Sequence, residues 1–153
     1  MQQHVSLDDA LPTTRELFGV AIGECARIWR KRVNERLKPL ALSQAAWLAL
    51  WNLSRCPDGL VQAELAEHLA IEGPTLVRLL DRLERDGLVE RLATREDRRC
   101  KRVVLTDAAG PVVAEVRAII AELRAEILAD IPESELEQGL KLLSQVRARL
   151  LET

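Results

Sequence analysis

Between residues 62 and 102 the chain concentrates side chains suited to gripping a polyanion. Nine basic residues (78, 82, 85, 91, 95, 98, 99, 101 and 102) meet six acidic ones from Arg78 to Arg102, whereas Val103 to Thr153 holds five basic against nine acidic. The formal charge of the whole chain is -2, so positive charge is placed rather than spread. A polyanion responds to such placement within a Debye length, about 8 Å at physiological salt. The guanidinium of Arg78 could donate two parallel hydrogen bonds to guanine O6 and N7. One turn earlier, Thr75 offers a hydroxyl of either polarity and a methyl group for a thymine methyl, and Gly73 and Pro74 allow close backbone approach. The run from Arg95 to Lys101 suits a different task. An arginine at a hairpin tip, here Arg98, fits the narrow, electronegative minor groove of A/T-rich DNA. Asp97 would brace a neighbouring arginine, leaving Arg95, Arg99 and Lys101 for phosphates. Gln62 and Arg82 complete the candidate DNA contacts, although the alternating signs from Arg82 to Asp86 equally suit a solvated face.

These residues need a helix pair and a hairpin to present them. QAELAEHLA repeats apolar residues at Leu65, Ala66 and Leu69, and GPTLVRLLDRLERDG repeats them at Leu76, Leu79, Leu80 and Leu83, both at helical spacing. Ile71, Glu72 and Gly73 leave room for a tight turn between the two, with Pro74 suited to the first helical position. Gly87 stands where a left-handed cap is wanted. Leu88 to Leu92 and Arg102 to Leu105 read as strands joined by the basic loop. Helix, turn, helix and basic hairpin in that order predict a winged helix-turn-helix, mainly α with a small β-wing.

At 153 residues the chain is expected to form a single domain over residues 1–153. A DNA-binding lobe would span 43–105, with the helix-turn-helix at about 62–86 and the wing at about 88–105. Residues 1–12 read as a loose arm, and a long helix follows from 14 to 37, ended by Lys38 and Pro39. Ser43 is a suitable N-cap for a largely apolar helix, AAWLALWNLSR, expected to be buried. Pro57, Asp58 and Gly59 form a turn into a short strand at Leu60 and Val61. Thr106 is placed to cap a helix bearing Val112, Val113, Val116, Ile119, Ile120, Leu123 and Ile127, and a last helix aligns Leu136, Leu140, Leu143, Val146 and Leu150. The helix of 14–37 and the two helices of 106–153, three of the six expected in all, carry more apolar face than a small lobe can cover. A homodimer joined through the N- and C-terminal helices is the expected partner surface.

The order of elements, GLVER between helix and wing, DRR at Asp97, Arg98 and Arg99, and LTDAAG beyond them resemble the MarR family of bacterial transcription regulators. ARIWRKRVNERLKPLALSQAAWLAL, IEGPTLVRLLDRLERDGLV and RAEILADIPESELEQ resemble its SlyA branch, from about Leu17 to Leu150. The resemblance implies a homodimer on A/T-rich inverted repeats, repressing promoters or relieving silencing. It also implies a crevice for small aromatic carboxylates such as salicylate, with Arg27 and Trp47 lining it. Trp51 lies four residues after Trp47 on the same helix face, where the SlyA branch has a histidine, and core tryptophans with a surface arginine are the plainer reading.

Other chemistry is disfavoured. His4 and His68 have no partner at metal-ligand spacing, and no phosphate-cradling loop or nucleophile elbow occurs, so neither catalysis nor a cofactor is expected. There is no run of about 18 uncharged apolar residues for a membrane span. Cys25, Cys56 and Cys100 are odd in number and unpatterned, which suits a cytosolic protein. Cys100 sits among cations that favour its thiolate, so oxidation there could disturb the wing. The rival function is a winged helix used for protein binding alone, distinguished by the absence of salt-sensitive duplex binding.

Overall fold

The computed structural model describes residues 12–93 and 101–152. Among them are six α-helices and three strands: α1 (Thr14–Leu37), α2 (Gln44–Ser54), β1 (Leu60–Val61), α3 (Gln62–Leu69), α4 (Gly73–Arg85), β2 (Val89–Ala93), β3 (Lys101–Leu105), α5 (Ala109–Leu128) and α6 (Glu133–Glu152). The strands form one antiparallel sheet in the order β1-β3-β2, with Leu60 opposite Val103 and Val89 opposite Leu105.

Local chemistry sets most boundaries. The Thr13 hydroxyl accepts from the Glu16 amide at 3.3 Å, and the Glu16 carboxylate accepts from the Thr13 amide at 2.7 Å, a reciprocal cap that starts α1. Lys38–Leu40 tighten into a 3-10 turn with Pro39 near its start. The Ser43 hydroxyl accepts from the Ala46 amide and starts α2. At Gly59 φ is +75°, and a Cβ there would collide with the Val103 carbonyl oxygen and the Val104 side chain. Only glycine therefore lets the turn press β1 against β3.

Two details depart from the expectations. Gly73 is the first helical residue of α4 and Pro74 the second, so the helix-turn-helix turn comprises Ala70, Ile71 and Glu72, with Ala70 left-handed at φ 51°. Thr106 does not cap α5: its hydroxyl donates to the Gly87 carbonyl, and α5 starts at Ala109 from Ala108 without a side-chain cap. The hydroxyl is aimed at a partner nineteen residues back in sequence because the turn after α4 packs beside the end of β3, where the Thr106 amide also donates to the Leu88 carbonyl.

Two apolar clusters result. The first, from Ala46, Leu50, Leu53, Leu65, Leu76, Leu80, Leu83, Val89 and Val103, binds α2, α3, α4 and the sheet into the lobe. The second joins α1, α2 and α5 through Val33, Leu37, Trp47, Val116, Ile120 and Leu123. By contrast α6 has no buried residue, and α1 buries only Val33 and Leu37.

Candidate nucleic-acid interface

The helix expected to carry the base contacts is α4, and its rotation is set from behind. Leu76, Leu80 and Leu83 are at most 2% exposed and pack into the lobe. With successive residues turned by about 100°, Pro74, Arg78 and Arg85 point away from that anchored side, and all three are exposed. Thr75 and Arg82 lie on one exposed flank; Val77 and Glu84 lie on the other, with Asp81 beside them. The helix ends in a Schellman cap: Gly87, at φ 73°, donates to the Glu84 carbonyl, and the Leu88 amide donates to the Leu83 carbonyl at 2.9 Å. This reversal sends the chain directly into β2.

The root of the wing is latched to α4. Arg91, on β2, donates to Asp81 Oδ1 at 2.7 Å and to Glu84 Oε2 at 2.5 Å, and its backbone amide donates to Glu84 Oε1 at 3.2 Å. Its side chain is only 17% exposed, against 50% and 39% for the two carboxylates. The hydrogen bond from Arg91 holds the Glu84 carboxyl below its ordinary value of 4.5, and the same bond raises Arg91 further above the usual guanidinium range. On the other side of the sheet Arg102 donates to the Gly59 carbonyl at 2.9 Å and to the Asp58 carbonyl at 3.3 Å.

These pairings change how the basic stretch is read. Arg91 and Arg102 hold the wing in place, while Arg78 and Arg82 on α4 and Lys101 at the foot of the hairpin are exposed. Arg91 also offsets part of the negative charge of Asp81 and Glu84 on this flank of α4. In the charge count Arg91 is one basic residue among nine; the signal for its pairing is Asp81 and Glu84 one turn apart on a helix that feeds directly into its strand. Gln62 is the first residue of α3 and is half-buried, whereas Gly73, Pro74 and Thr75 are exposed at the start of α4. Arg95, Asp97, Arg98, Arg99 and Cys100 lie outside the described residues.

The three residues expected to line a ligand crevice are dispersed in environment. Trp47 is 4% exposed, and its indole N–H donates to Asn34 Oδ1 at 2.6 Å, which ties α2 to α1. Trp51 is half-buried against the same cluster, and Arg27 is exposed on α1. An apolar cavity of about 460 Å³ lies elsewhere, between α1 and α6, lined by Phe18, Ala21, Ile22, Cys25, Trp29 and Leu143 among others. Among the described residues no cluster of His, Cys, Asp and Glu could hold a metal ion, and no helix is long and apolar enough to cross a membrane.

Known proteins share this architecture. The MarR family model matches residues 42–99, a stretch that contains the helix pair and the first strand of the wing. The crystal structure of transcriptional regulator PA3341 is 45% identical, with 89% of this chain and 99% of that chain covered and a TM-score of 0.83. A MarR-family regulator from Silicibacter pomeroyi is 27% identical over 88% of this chain and 90% of its own, with a TM-score of 0.77. Wild-type MarR from E. coli in its apo form is 26% identical over 91% and 98%, with a TM-score of 0.71. Recognition helix, latched hairpin and near-complete coverage of these regulators lead to one conclusion: the chain belongs to the MarR family of DNA-binding transcriptional regulators.

Proposed function

We propose that the protein is a SlyA-like regulator that binds A/T-rich inverted repeats as a homodimer and represses, or relieves silencing of, the promoters that carry them. The observation that carries this reading is the setting of α4. Buried leucines fix its back, Arg91 fixes the wing beside it, and Arg78 stands exposed on the face opposite the leucines. One α4 from each protomer enters successive major grooves, Thr75 and Arg78 reading base edges, Gly73 and Pro74 approaching closely and Arg82 and Gln62 contacting the backbone. The hairpin tip, Arg98 braced by Asp97, reaches the adjacent minor groove, with Arg95, Arg99 and Lys101 on phosphates.

The dimer is supported by the apolar residues left open on the terminal helices. Leu17 and Val20 on α1, and Leu140, Leu150 and Leu151 on α6, are 53 to 75% exposed. Covering each contributes roughly 1.5 to 3 kcal/mol, and a second copy supplies the matching surface. Within the assignment, 14–37 and 106–153 serve dimerisation and 43–105 serves DNA, in a cytoplasmic protein. A small aromatic carboxylate, salicylate for example, enters between lobe and dimerisation helices near Arg27, Trp47 and Trp51 and lowers DNA affinity. The half-buried indole of Trp51 at that junction supports this. The fold is also that of CouR from Rhodococcus jostii RHA1, solved bound to p-coumaroyl-CoA.

The test is retardation of an A/T-rich inverted-repeat duplex across a salt series. Affinity is expected to fall steeply with salt. Arg78→Ala is expected to cost about 1 to 3 kcal/mol on a specific site and relax sequence preference, and Arg98→Ala to weaken binding chiefly at A/T-rich flanks. No retardation at any salt would instead indicate a winged helix that binds only proteins. Tryptophan fluorescence and DNA affinity both unchanged by salicylate would remove the ligand from the reading.

A further inference from the structure

Beyond Gly73 and Pro74 at its start, the outward surface of α4 is polar except at Val77. Val77 is 41% exposed, whereas Leu76, Leu80 and Leu83 are at most 2% exposed and Leu79 is half-buried. An open aliphatic side chain there does nothing for the lobe's core. It sits immediately before Arg78, one turn before Asp81 and two turns before Glu84, the carboxylates that Arg91 holds. Its flank of the helix is therefore the flank whose rotation the wing latch fixes.

Val77 is also stiff. A β-branched side chain in a helix keeps essentially one χ1 rotamer, so its two methyl groups are held in place without further packing. Among the groups that base edges present in a major groove, thymine alone offers a methyl; the rest are hydrogen-bond donors, acceptors or ring C–H. We infer that Val77 is a specificity-determining residue that packs on the C5 methyl of a thymine next to the base pair addressed by Arg78. The inference rests on the docking of α4 proposed above and goes beyond it, assigning an apolar reader beside the polar ones. It predicts a preference for thymine over cytosine at one position of each half-site, since cytosine lacks the methyl at C5.

The test uses the full-length protein and a duplex selected by it from a random library. Each thymine of one half-site is replaced in turn by deoxyuridine, which removes only the methyl group. The parent is expected to lose about three- to fivefold in affinity at one thymine, the value of roughly one buried methyl. Val77→Ala is expected to bind the thymine duplex more weakly by a similar factor and to be indifferent to deoxyuridine at that position. Arg78→Ala, although weaker throughout, is expected to keep that sensitivity. A parent indifferent to every such replacement, or a Val77→Ala variant with undiminished sensitivity, would overturn the assignment while leaving the docking of α4 intact. Selection that enriches no duplex at all would defeat the docking, and the inference with it.

Discussion

The lobe and the terminal helices handle apolar surface in opposite ways. In the lobe, α2, α3, α4 and the sheet close on one another, and Leu50, Leu65 and Leu80 are fully buried. In the terminal helices, α6 buries nothing and most of α1 is open, although both carry leucine and valine stripes of the same kind. A stripe at helical spacing thus says that a face will be covered, but not by what. In the lobe the covering elements follow within a few residues. Among the described residues no element covers most of the stripes on α1 and α6, which is why a second copy enters the account.

Substitutions at the two kinds of leucine sharpen this contrast. The largest effect is expected in the lobe, where Leu50→Ala should lower unfolding free energy by about 2 to 5 kcal/mol in urea titrations. Leu140→Asp with Leu150→Asp should leave the lobe folded by hydrogen exchange but weaken self-association, each site forfeiting roughly 1.5 to 3 kcal/mol of burial. If instead these two substitutions unfolded the lobe, the division between self-sufficient and dependent regions would be wrong. A smaller effect is expected at the latch. Arg91→Ala should cost about 1 kcal/mol of stability, the scale of an exposed ion-pair network. It should nonetheless weaken DNA binding more than Arg85→Ala does, because it frees the hairpin root and uncovers Asp81 and Glu84. Equal loss in the two variants would reduce the latch to a surface salt bridge.

The smallest effect concerns acid. The carboxyls of Glu84 and Glu126 are held below the ordinary value of 4.5 by hydrogen bonds from Arg91 and Arg36, and that of Glu16 chiefly by the Thr13 amide. A lowered folded-state value means stability that is present above the ordinary carboxylate range and lost as pH falls through the folded value. Stability should therefore decline below about pH 4.5, and Glu84→Gln should show a shallower decline than the parent in denaturation curves at successive pH values.

What could be read from the residues alone follows the range of the forces concerned. Ser43, Gly59 and Gly87 were legible because caps and left-handed turns are decided within a few residues. The same locality explains why α2 and the wing strands fell close to their expected bounds. Thr106 was misread because its hydroxyl bonds the distant Gly87 carbonyl. The pairing of Arg91 was not legible because its partners lie on a different element, and no periodicity within a single helix or strand reports a pairing between two. The bond from the Trp47 indole to Asn34 was not legible because it joins two different helices, α2 and α1. Of the candidate contacts, those on α4 were legible as exposed positions from helical phase, whereas the hairpin residues Arg95 to Arg99 were legible only as a cluster of charge.

The central claim is that two copies of the chain act together on one DNA site, and the mass of the complex tests it most directly. Sedimentation of the free protein and of its complex with one inverted-repeat duplex should give a dimer and then two protomers per duplex. A protein that sediments as a monomer when free, and either ignores the duplex or adds to it one copy at a time with equal affinity, would contradict the account.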